Sequence, residues 1–160
     1  MLTFQTTKHF PLDSESLFKF FSQPDQLEKW CAPDSMTLKL PIFDFKVGGK
    51  YRYEHTSQDG TFVAEGEFTE ITPQKKIVQL DKTGVSPQGE KIFENLECVI
   101  EFQENLGGTE VYITQSGFKD EKSLEECRQG WDQCLSKLQE IVAHGPNVNT
   151  GKSIDLDARF

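Results

Sequence analysis

Few side chains in this sequence have types and spacing that suggest chemistry, and the most suggestive lie in the stretch KYRYEHT, which begins at Lys50. In a β-strand, Tyr51, Tyr53 and His55 would share one face, because side chains alternate between the two faces. A histidine beside two phenols could anchor the polar end of a ligand or act as a general base. The third interpretation, which we favour, is a structural histidine that is hydrogen-bonded near the rim of a cavity.

Patterns for other catalytic sites are incomplete. Strand alternation places four glutamates on the outer face of the predicted sheet: Glu65, Glu67, Glu97 and Glu101. No inward pair of carboxyl groups is therefore predicted for glycoside hydrolysis. The GGK triplet at 48–50 lacks the rest of a P-loop, and Gly-x-Ser-x-Gly spacing is absent. The three histidines are scattered, so the sequence predicts neither a metal site nor a bound cofactor.

The cysteines are predicted to be reduced, small core residues. The four of them form no Cys-x-x-Cys pair: Cys31, Cys98, Cys127 and Cys134. Cys127 and Cys134 are two turns apart on one helix face, which separates them by about 10 Å along the axis. That distance is too long for a disulfide.

Composition narrows the classes of partner. Twenty-six acidic against 17 basic side chains give a formal net charge of −9, which repels phosphate backbones and anionic lipids. Nucleic-acid and membrane partners are therefore not expected. The apolar runs are short, and the start MLTFQTTKHF lacks the basic and apolar blocks of a signal peptide. The expected location is the cytoplasm.

The N-terminal part predicts a strand followed by two short helices. LTFQTTKHF alternates as a strand does, and PLDSESLFKFF then changes to a helical period with Asp13 or Ser14 as its N-cap. The second helix, PDQLEKW, begins with proline in its first turn and ends before Pro33. The apolar residues that share a face within each helix are Leu17, Phe20 and Phe21 in the first, and Leu27 and Trp30 in the second.

From Met36 to Ser116 the pattern changes to about six strands separated by turn sequences. If SQDG is the first hairpin loop, Thr56 lies opposite Thr61, and ion pairs then form on the outer face. These pairs are Lys50 with Glu67, and Arg52 with Glu65. On the inner face two large side chains lie opposite small ones, Tyr51 opposite Gly66 and Tyr53 opposite Ala64, and His55 lies opposite Phe62.

A second hairpin gives the same kind of result. With NLGG as its loop, three residues of one strand share an apolar face with three of the next: Cys98, Ile100 and Phe102 with Val111, Ile113 and Gln115. Two independent registers therefore each predict one apolar face. Such a face must be covered by another element.

The covering element is a long amphipathic helix near the C-terminus. Its apolar residues follow a 3.6-residue period over about five turns: Leu124, Cys127, Trp131, Cys134, Leu135, Leu138, Ile141 and Val142. Ser123 and Glu126 have the spacing of a capping box, and Gly145-Pro146 is a stop signal. We predict one domain over residues 1–145. The tail, 146–160, is expected to be mobile, to pack on the surface, or to contact a partner subunit in a homodimer.

These elements make an α+β arrangement, and their order matches a known family. LEKWCAPDS, VGGKYRYEH, DGTFVAEGEFTEITPQKKIV, GGTEVYITQSGF and GWDQCLSKLQEIV resemble, in order and spacing, the activator of heat-shock-protein-90 ATPase-like group. That group belongs to the START-like (SRPBCC) helix-grip superfamily. The resemblance implies a curved antiparallel sheet of about six or seven strands wrapped around a long C-terminal helix, with two short helices after the first strand.

The resemblance also implies a deep cavity between the helix and the sheet, which relatives use for apolar molecules. The residues expected to line it here are Trp30, Tyr51, Tyr53, His55, Phe62, Ala64, Phe68, Gln79, Leu96, Cys98, Ile100, Phe118, Trp131 and Leu135. One strand, KKIVQLDK, departs from the family pattern because it carries Gln79 and Asp81 where aromatic residues are expected. Either the cavity is more polar in this protein, or that strand is shifted.

The sequence predicts the fold more securely than the function, because one fold can host many functions. We expect a non-enzymatic domain that binds a small apolar or amphipathic molecule inside the cavity. The first alternative is a chaperone accessory that acts through its outer surface, and the second is a lyase or cyclase on the same scaffold. The latter needs an inward acid and base, for which His55 is the best candidate.

Overall fold

The structure is a computed structural model of the chain and describes residues 2–144, so the expected tail at 146–160 lies outside the described residues. In chain order its elements are β1 (Leu2–Phe10), α1 (Ser14–Ser22), α2 (Pro24–Trp30), β2 (Thr37–Phe43), β3 (Lys50–Ser57), β4 (Gly60–Thr72), β5 (Lys76–Val85), β6 (Lys91–Asn105), β7 (Gly108–Phe118) and α3 (Glu121–His144). No helix within residues 2–144 is both long and apolar enough to cross a membrane.

The strands form one antiparallel sheet of seven, in the order β1-β7-β6-β5-β4-β3-β2. Consecutive strands from β2 to β7 pair through hairpins, and β1 joins the far edge beside β7. The pairing of β4 with β5 shifts register twice, between Glu65 and Gly66 and between Phe68 and Glu70. Bulges of this kind bend a strand and increase its twist. The α+β helix-grip fold predicted from the sequence is confirmed.

Both hairpin registers predicted from the turns are confirmed. Thr56 lies opposite Thr61, and Ile100 lies opposite Ile113. On the outer face, the predicted ion pairs form: Lys50 Nζ to Glu67 Oε1 at 2.9 Å, and Arg52 Nη1 to Glu65 Oε2 at 2.8 Å. The charges therefore face outward and leave the opposite face to apolar side chains.

The helix starts agree with the sequence for α1 and differ for α3. Asp13 caps α1, since its side chain accepts a hydrogen bond from the Ser16 amide at 3.1 Å. At α3 the cap is Asp120, whose Oδ1 accepts from the Ser123 amide at 2.8 Å. The predicted capping box of Ser123 is therefore wrong, because Asp120 caps the helix three residues earlier and Ser123 lies inside its first turn. The stop signal at 145–146 lies outside the described residues.

Helix α3 lies across the sheet on the side of β1 and β7 and also contacts α2. Its most deeply buried side chains are Cys134, Leu135 and Leu138. Polar contacts fix its position: Thr6 of β1 donates to Asp132 Oδ1 at 2.7 Å, and Lys137 Nζ donates to the Ala32 carbonyl at 2.6 Å. The helix is thus anchored at both the sheet edge and the loop after α2.

The apolar interior consists of two clusters. The larger one joins the aromatic residues of α1 and α2 to the inner face of the sheet, and Trp30 lies at its centre, fully buried. The smaller one contains Phe4, Leu96 and Phe118. Trp131 of α3 packs against both, so it lies between them.

Two glycines allow a test of how tightly β3, β4 and β5 approach one another. A Cβ at Gly66 would clash with the Leu80 carbonyl oxygen and the Tyr51 hydroxyl, whereas a Cβ at Gly130 in α3 meets only Pro33 Cγ at 3.5 Å. We expect Gly66→Ala to lower the free energy of unfolding by about 1–3 kcal/mol through overpacking. Gly130→Ala should leave it equal or raise it by about 0.5–1 kcal/mol, since alanine favours helix. Urea unfolding measures both, and a fully stable Gly66→Ala variant would contradict the close approach.

Candidate functional site

A cavity of about 610 Å³ lies between α3 and the inner face of strands β3 to β7. Side chains of α1, α2 and the following loop close one side of it, among them Phe21, Leu27 and Cys31. The lining residues that are exposed to solvent are Lys91, Glu94, Lys119 and Glu126. All four lie near the start of α3 or the start of β6, so the cavity opens to solvent between these two elements.

Ten of the 14 residues expected to line a cavity do line this one: Tyr53, His55, Phe62, Ala64, Gln79, Leu96, Cys98, Ile100, Phe118 and Trp131. The structure brings them together from β3, β4, β5, β6, β7 and α3. The polar members gather on β3 and β5, while the apolar members come mostly from β4, β6 and β7. The cavity therefore has a polar side and an apolar side.

The other four expected residues do not face the cavity: Trp30, Tyr51, Phe68 and Leu135. Each is almost fully buried in the larger core cluster. Trp30 donates its indole N–H to the Phe20 carbonyl at 3.0 Å, and Phe68 packs edge-on against Phe43 and Phe45. Strand and helix parity placed these residues on the inner face correctly, but other side chains cover them there.

Asp81 is the acid in the interior of the cavity, whereas Glu94 and Glu126 are exposed at its opening. The Tyr51 hydroxyl reaches over Gly66, across the width of β4, and donates to Asp81 Oδ1 at 2.5 Å. Asp81 is half-buried because one side of it faces the cavity, although it lies deep in the protein. Burial raises the pKa of this carboxyl from 3.8 to about 6, and the hydrogen bond from Tyr51 opposes the rise.

His55 presents a hydrogen-bond acceptor. Its Nε2 lies 3.1 Å from the Cys31 carbonyl oxygen, and a carbonyl only accepts, so Nε2 carries the proton. Burial lowers the pKa of His55 and keeps the ring neutral. Nδ1 is therefore an unprotonated acceptor, and it is buried without a partner among the described residues. The favoured interpretation of a structural, hydrogen-bonded histidine describes Nε2 and leaves Nδ1 buried without a partner among the described residues.

Tyr53 and Gln79 complete the polar side. The Gln79 amide lies beside the phenols of Tyr51 and Tyr53, and Gln79 also lines the cavity. Burial raises the pKa of Tyr53, so its hydroxyl stays protonated. A neutral hydroxyl and a carboxamide both donate and accept hydrogen bonds. These two residues can therefore bind a ligand head group that donates or one that accepts.

All four cysteines line the cavity as free thiols. Contact with the Cys134 thiol and burial raise the pKa of Cys31, and burial raises those of Cys98 and Cys127, the last to about 12. Thiols of this kind are protonated and poor nucleophiles. No group of three or more His, Cys, Asp or Glu side chains within residues 2–144 is arranged to hold a metal ion.

Trp131 is held in the cavity wall by Gln115. The buried Gln115 Oε1 accepts from the Trp131 indole at 3.0 Å and from the Cys127 thiol at 2.8 Å. Trp131, which the resemblance implies as a lining residue, lines the cavity and also packs against both core clusters. Gln115 thereby ties α3 to β7 through polar groups.

Sequence reasoning noted Asp81 as a departure from the family pattern but did not include it among the site residues. The alternation of side chains along the strands could have identified Asp81 as a site residue. Tyr51 pairs with Gly66 and Gly66 pairs with Asp81, so the three residues share one face of the sheet. The double register shift between β4 and β5 conceals this relation, because counting back from the TPQKK turn gives Asp81 the wrong partner. In this structure Gln79 and Asp81 both line the cavity, and the pairing of their strand with β4 carries two register shifts.

The raised pKa of Asp81 predicts how stability depends on pH. The protonated carboxyl contributes stability that is complete below pH 3.8 and is lost as the pH rises through about 6. Asp81→Asn keeps an acceptor for Tyr51 and removes this loss, so its advantage over the parent should grow by about 2–3 kcal/mol between pH 4 and 7. Urea unfolding across this range measures it. Asp59→Asn, at an exposed turn, is the charge-matched control, and an equal pH response of both variants would contradict the burial of Asp81.

Comparisons with known proteins agree with the geometry. The fold is similar to solved structures of a protein from Chromobacterium violaceum (TM-score 0.76, 23% identity, 88% of this chain and 96% of that one) and an AHSA1 protein from Silicibacter pomeroyi (TM-score 0.77, 16% identity, 89% and 98%). A solution structure from Arthrobacter aurescens is similar as well (TM-score 0.77, 19% identity, 89% and 86%). At these identities the likeness shows the fold alone.

The sequence comparison goes further. No protein of curated function matches the chain in sequence. The sequence profile described as Activator of Hsp90 ATPase homolog 1-like protein matches residues 11–143, which include every element from α1 to β7 and nearly all of α3. The chain therefore belongs to the Activator of Hsp90 ATPase homolog 1-like family.

Proposed function

We propose that the protein binds a small apolar or amphipathic molecule inside the cavity, without transforming it. The observation that carries the proposal is the cavity itself, at about 610 Å³. Ligand sites in proteins have volumes of about 300–1,000 Å³ and combine apolar walls with a few polar groups. The apolar side of this cavity would take the body of the ligand, and the polar side would orient its head.

The apolar walls supply the affinity. Burial of about 200 Å² of apolar ligand surface is worth about 5 kcal/mol before the costs of association. Trp131 and Phe62 line one cavity with the aliphatic residues Leu96 and Ile100. Backbone pairing fixes the strand residues, and Gln115 fixes Trp131, so little order is lost when a ligand enters. Micromolar binding of a compact apolar molecule is the expected range.

The cavity also favours this function over the alternatives. The family description names an activator of the Hsp90 ATPase, and a chaperone accessory would act through its outer surface. Such a role does not need an open interior, and an unfilled interior reduces stability. A lyase or cyclase needs a positioned acid and base. His55 Nε2 is engaged with the Cys31 carbonyl, which leaves the anchoring of a ligand as the simpler use of these groups.

Filling the cavity from α3 tests the proposal. N-Phenyl-1-naphthylamine is a neutral apolar probe, and we expect it to bind at one site with a Kd in the micromolar range, measured by fluorescence titration. Gly130 lines the cavity and its Cβ would be free of clashes, so Gly130→Leu should project into the space and weaken binding by about tenfold or more.

Gly130→Ala is the matched control, because it adds one carbon at the same position and should change the Kd by less than about threefold. A second filling variant, Ala64→Leu, approaches the same space from β4. If the parent does not bind the probe, or if both filling variants bind as tightly as the parent while remaining folded by circular dichroism, the cavity is not the binding site.

A further inference from the structure

We infer that the molecule bound in this cavity carries a hydrogen-bond donor at its polar end, and that a cationic donor such as an ammonium group binds best. The inference rests on the proposed function, and it names the class of ligand. It follows from the chemistry of the polar groups that face the cavity, from the lack of a counter-charge to Asp81 within residues 2–144, and from the mixed charge at the opening of the cavity.

The first observation is the carboxylate of Asp81. Its Oδ1 accepts from Tyr51, and no other side-chain or backbone hydrogen bond reaches the carboxylate within residues 2–144. No lysine, arginine or histidine of the described chain forms an ion pair with it. Buried charges in proteins are normally paired, so Asp81 faces the cavity as an acceptor without a counter-charge.

The second observation is His55, on a different strand. Its Nδ1 is a buried acceptor without a partner, because Nε2 must donate to the Cys31 carbonyl. Nδ1 has almost no accessible surface, so it does not open into the cavity, and Asp81 is the acceptor that a bound ligand reaches. The neutral ring of His55 adds no positive charge that would compete with a cationic ligand.

The other groups around Asp81 do not reverse this preference. The titratable groups that face it are Tyr51 and Tyr53 from β3, Cys31 after α2, Cys98 from β6 and Cys127 from α3. All have raised pKa values and are neutral near pH 7. Tyr53 and Gln79 can donate or accept, so they do not discriminate.

The rim of the cavity, formed by its exposed lining residues, adds no competing preference for charge. These residues are Lys91, Glu94, Lys119 and Glu126. The rim carries two bases and two acids, and Lys91 Nζ is paired with Glu94 Oε2 at 3.0 Å. The charge of the ligand's head group is therefore selected in the interior, where Asp81 attracts a cation and repels an anion. A fatty acid, whose head is a carboxylate, is the apolar ligand that this cavity should reject.

Three ligands with the same chain and different heads test the inference: decylamine, decan-1-ol and decanoate. Each displaces bound N-phenyl-1-naphthylamine at about pH 7.5, below its critical micelle concentration. We expect decylamine to displace the probe at a concentration at least about tenfold lower than decanoate, with decanol between them, because hydrogen bonds to charged groups are the stronger ones. Asp81→Asn should bring amine and decanoate to within about threefold of each other while decanol changes little.

Equal potency of the three ligands, tightest binding of decanoate, or an unchanged order in Asp81→Asn would overturn the inference and leave the proposed function standing. Failure of the probe and of all three ligands to bind would instead overturn the proposed function. The two failures are therefore distinguishable in one set of titrations.

The pH dependence of the parent protein tests the same point without a substitution. Between about pH 7.5 and 5, an alkylammonium stays protonated, and His55 stays neutral because its pKa is lowered. Asp81, with a pKa of about 6, gains a proton. The advantage of decylamine over decanol should therefore shrink towards pH 5, and an advantage that stays constant would contradict a role for Asp81.

Discussion

The width of the sheet relative to the helix is the constraint on which the rest of the structure depends. Seven strands spaced about 4.8 Å apart span about 30 Å, whereas a helix with its side chains is about 10–12 Å across. Helix α3 contacts β1 and β7, at one side of the sheet. It has no comparable packing against β3, β4 and β5 within residues 2–144. Helices α1 and α2 fill part of the remaining inner face, and the space that no element fills is the cavity.

The polar side of that space depends on a single close approach. Tyr51 reaches Asp81 only because Gly66 lies between them without a side chain. The tyrosine is itself sealed in the core, so its contribution to the cavity is indirect: it holds the carboxyl in place and leaves one oxygen towards the interior. Asp81 costs the fold stability when it is ionised. A costly buried acid beside an open space is a common property of binding and catalytic sites.

Local patterns predicted the fold well and the site less completely. The SQDG and NLGG turns each gave the register of a hairpin, and each register gave the correct inner face. The alternation of side chains, however, indicates which face of the sheet a residue occupies and not which side chains cover it. Tyr51 and Phe68 were therefore expected to line the cavity, although core side chains cover them. Asp81 was missed as a site residue because the pairing of β4 with β5 contains two register shifts. Such shifts depend on tertiary packing and cannot be predicted from the sequence of the turn. The start of α3 was placed three residues late because Asp120 and Ser123 both have the chemistry of a cap.

The different surroundings of the two tryptophans have a spectroscopic consequence. Trp30 is sealed in the core with its N–H bound to a backbone carbonyl, and Trp131 stands in the cavity wall with its N–H bound to Gln115. A molecule that enters the cavity changes the polarity around one indole and leaves the other unchanged. The chain therefore contains its own reporter of occupancy together with an internal reference, and its intrinsic emission follows the filling of the cavity without any added label.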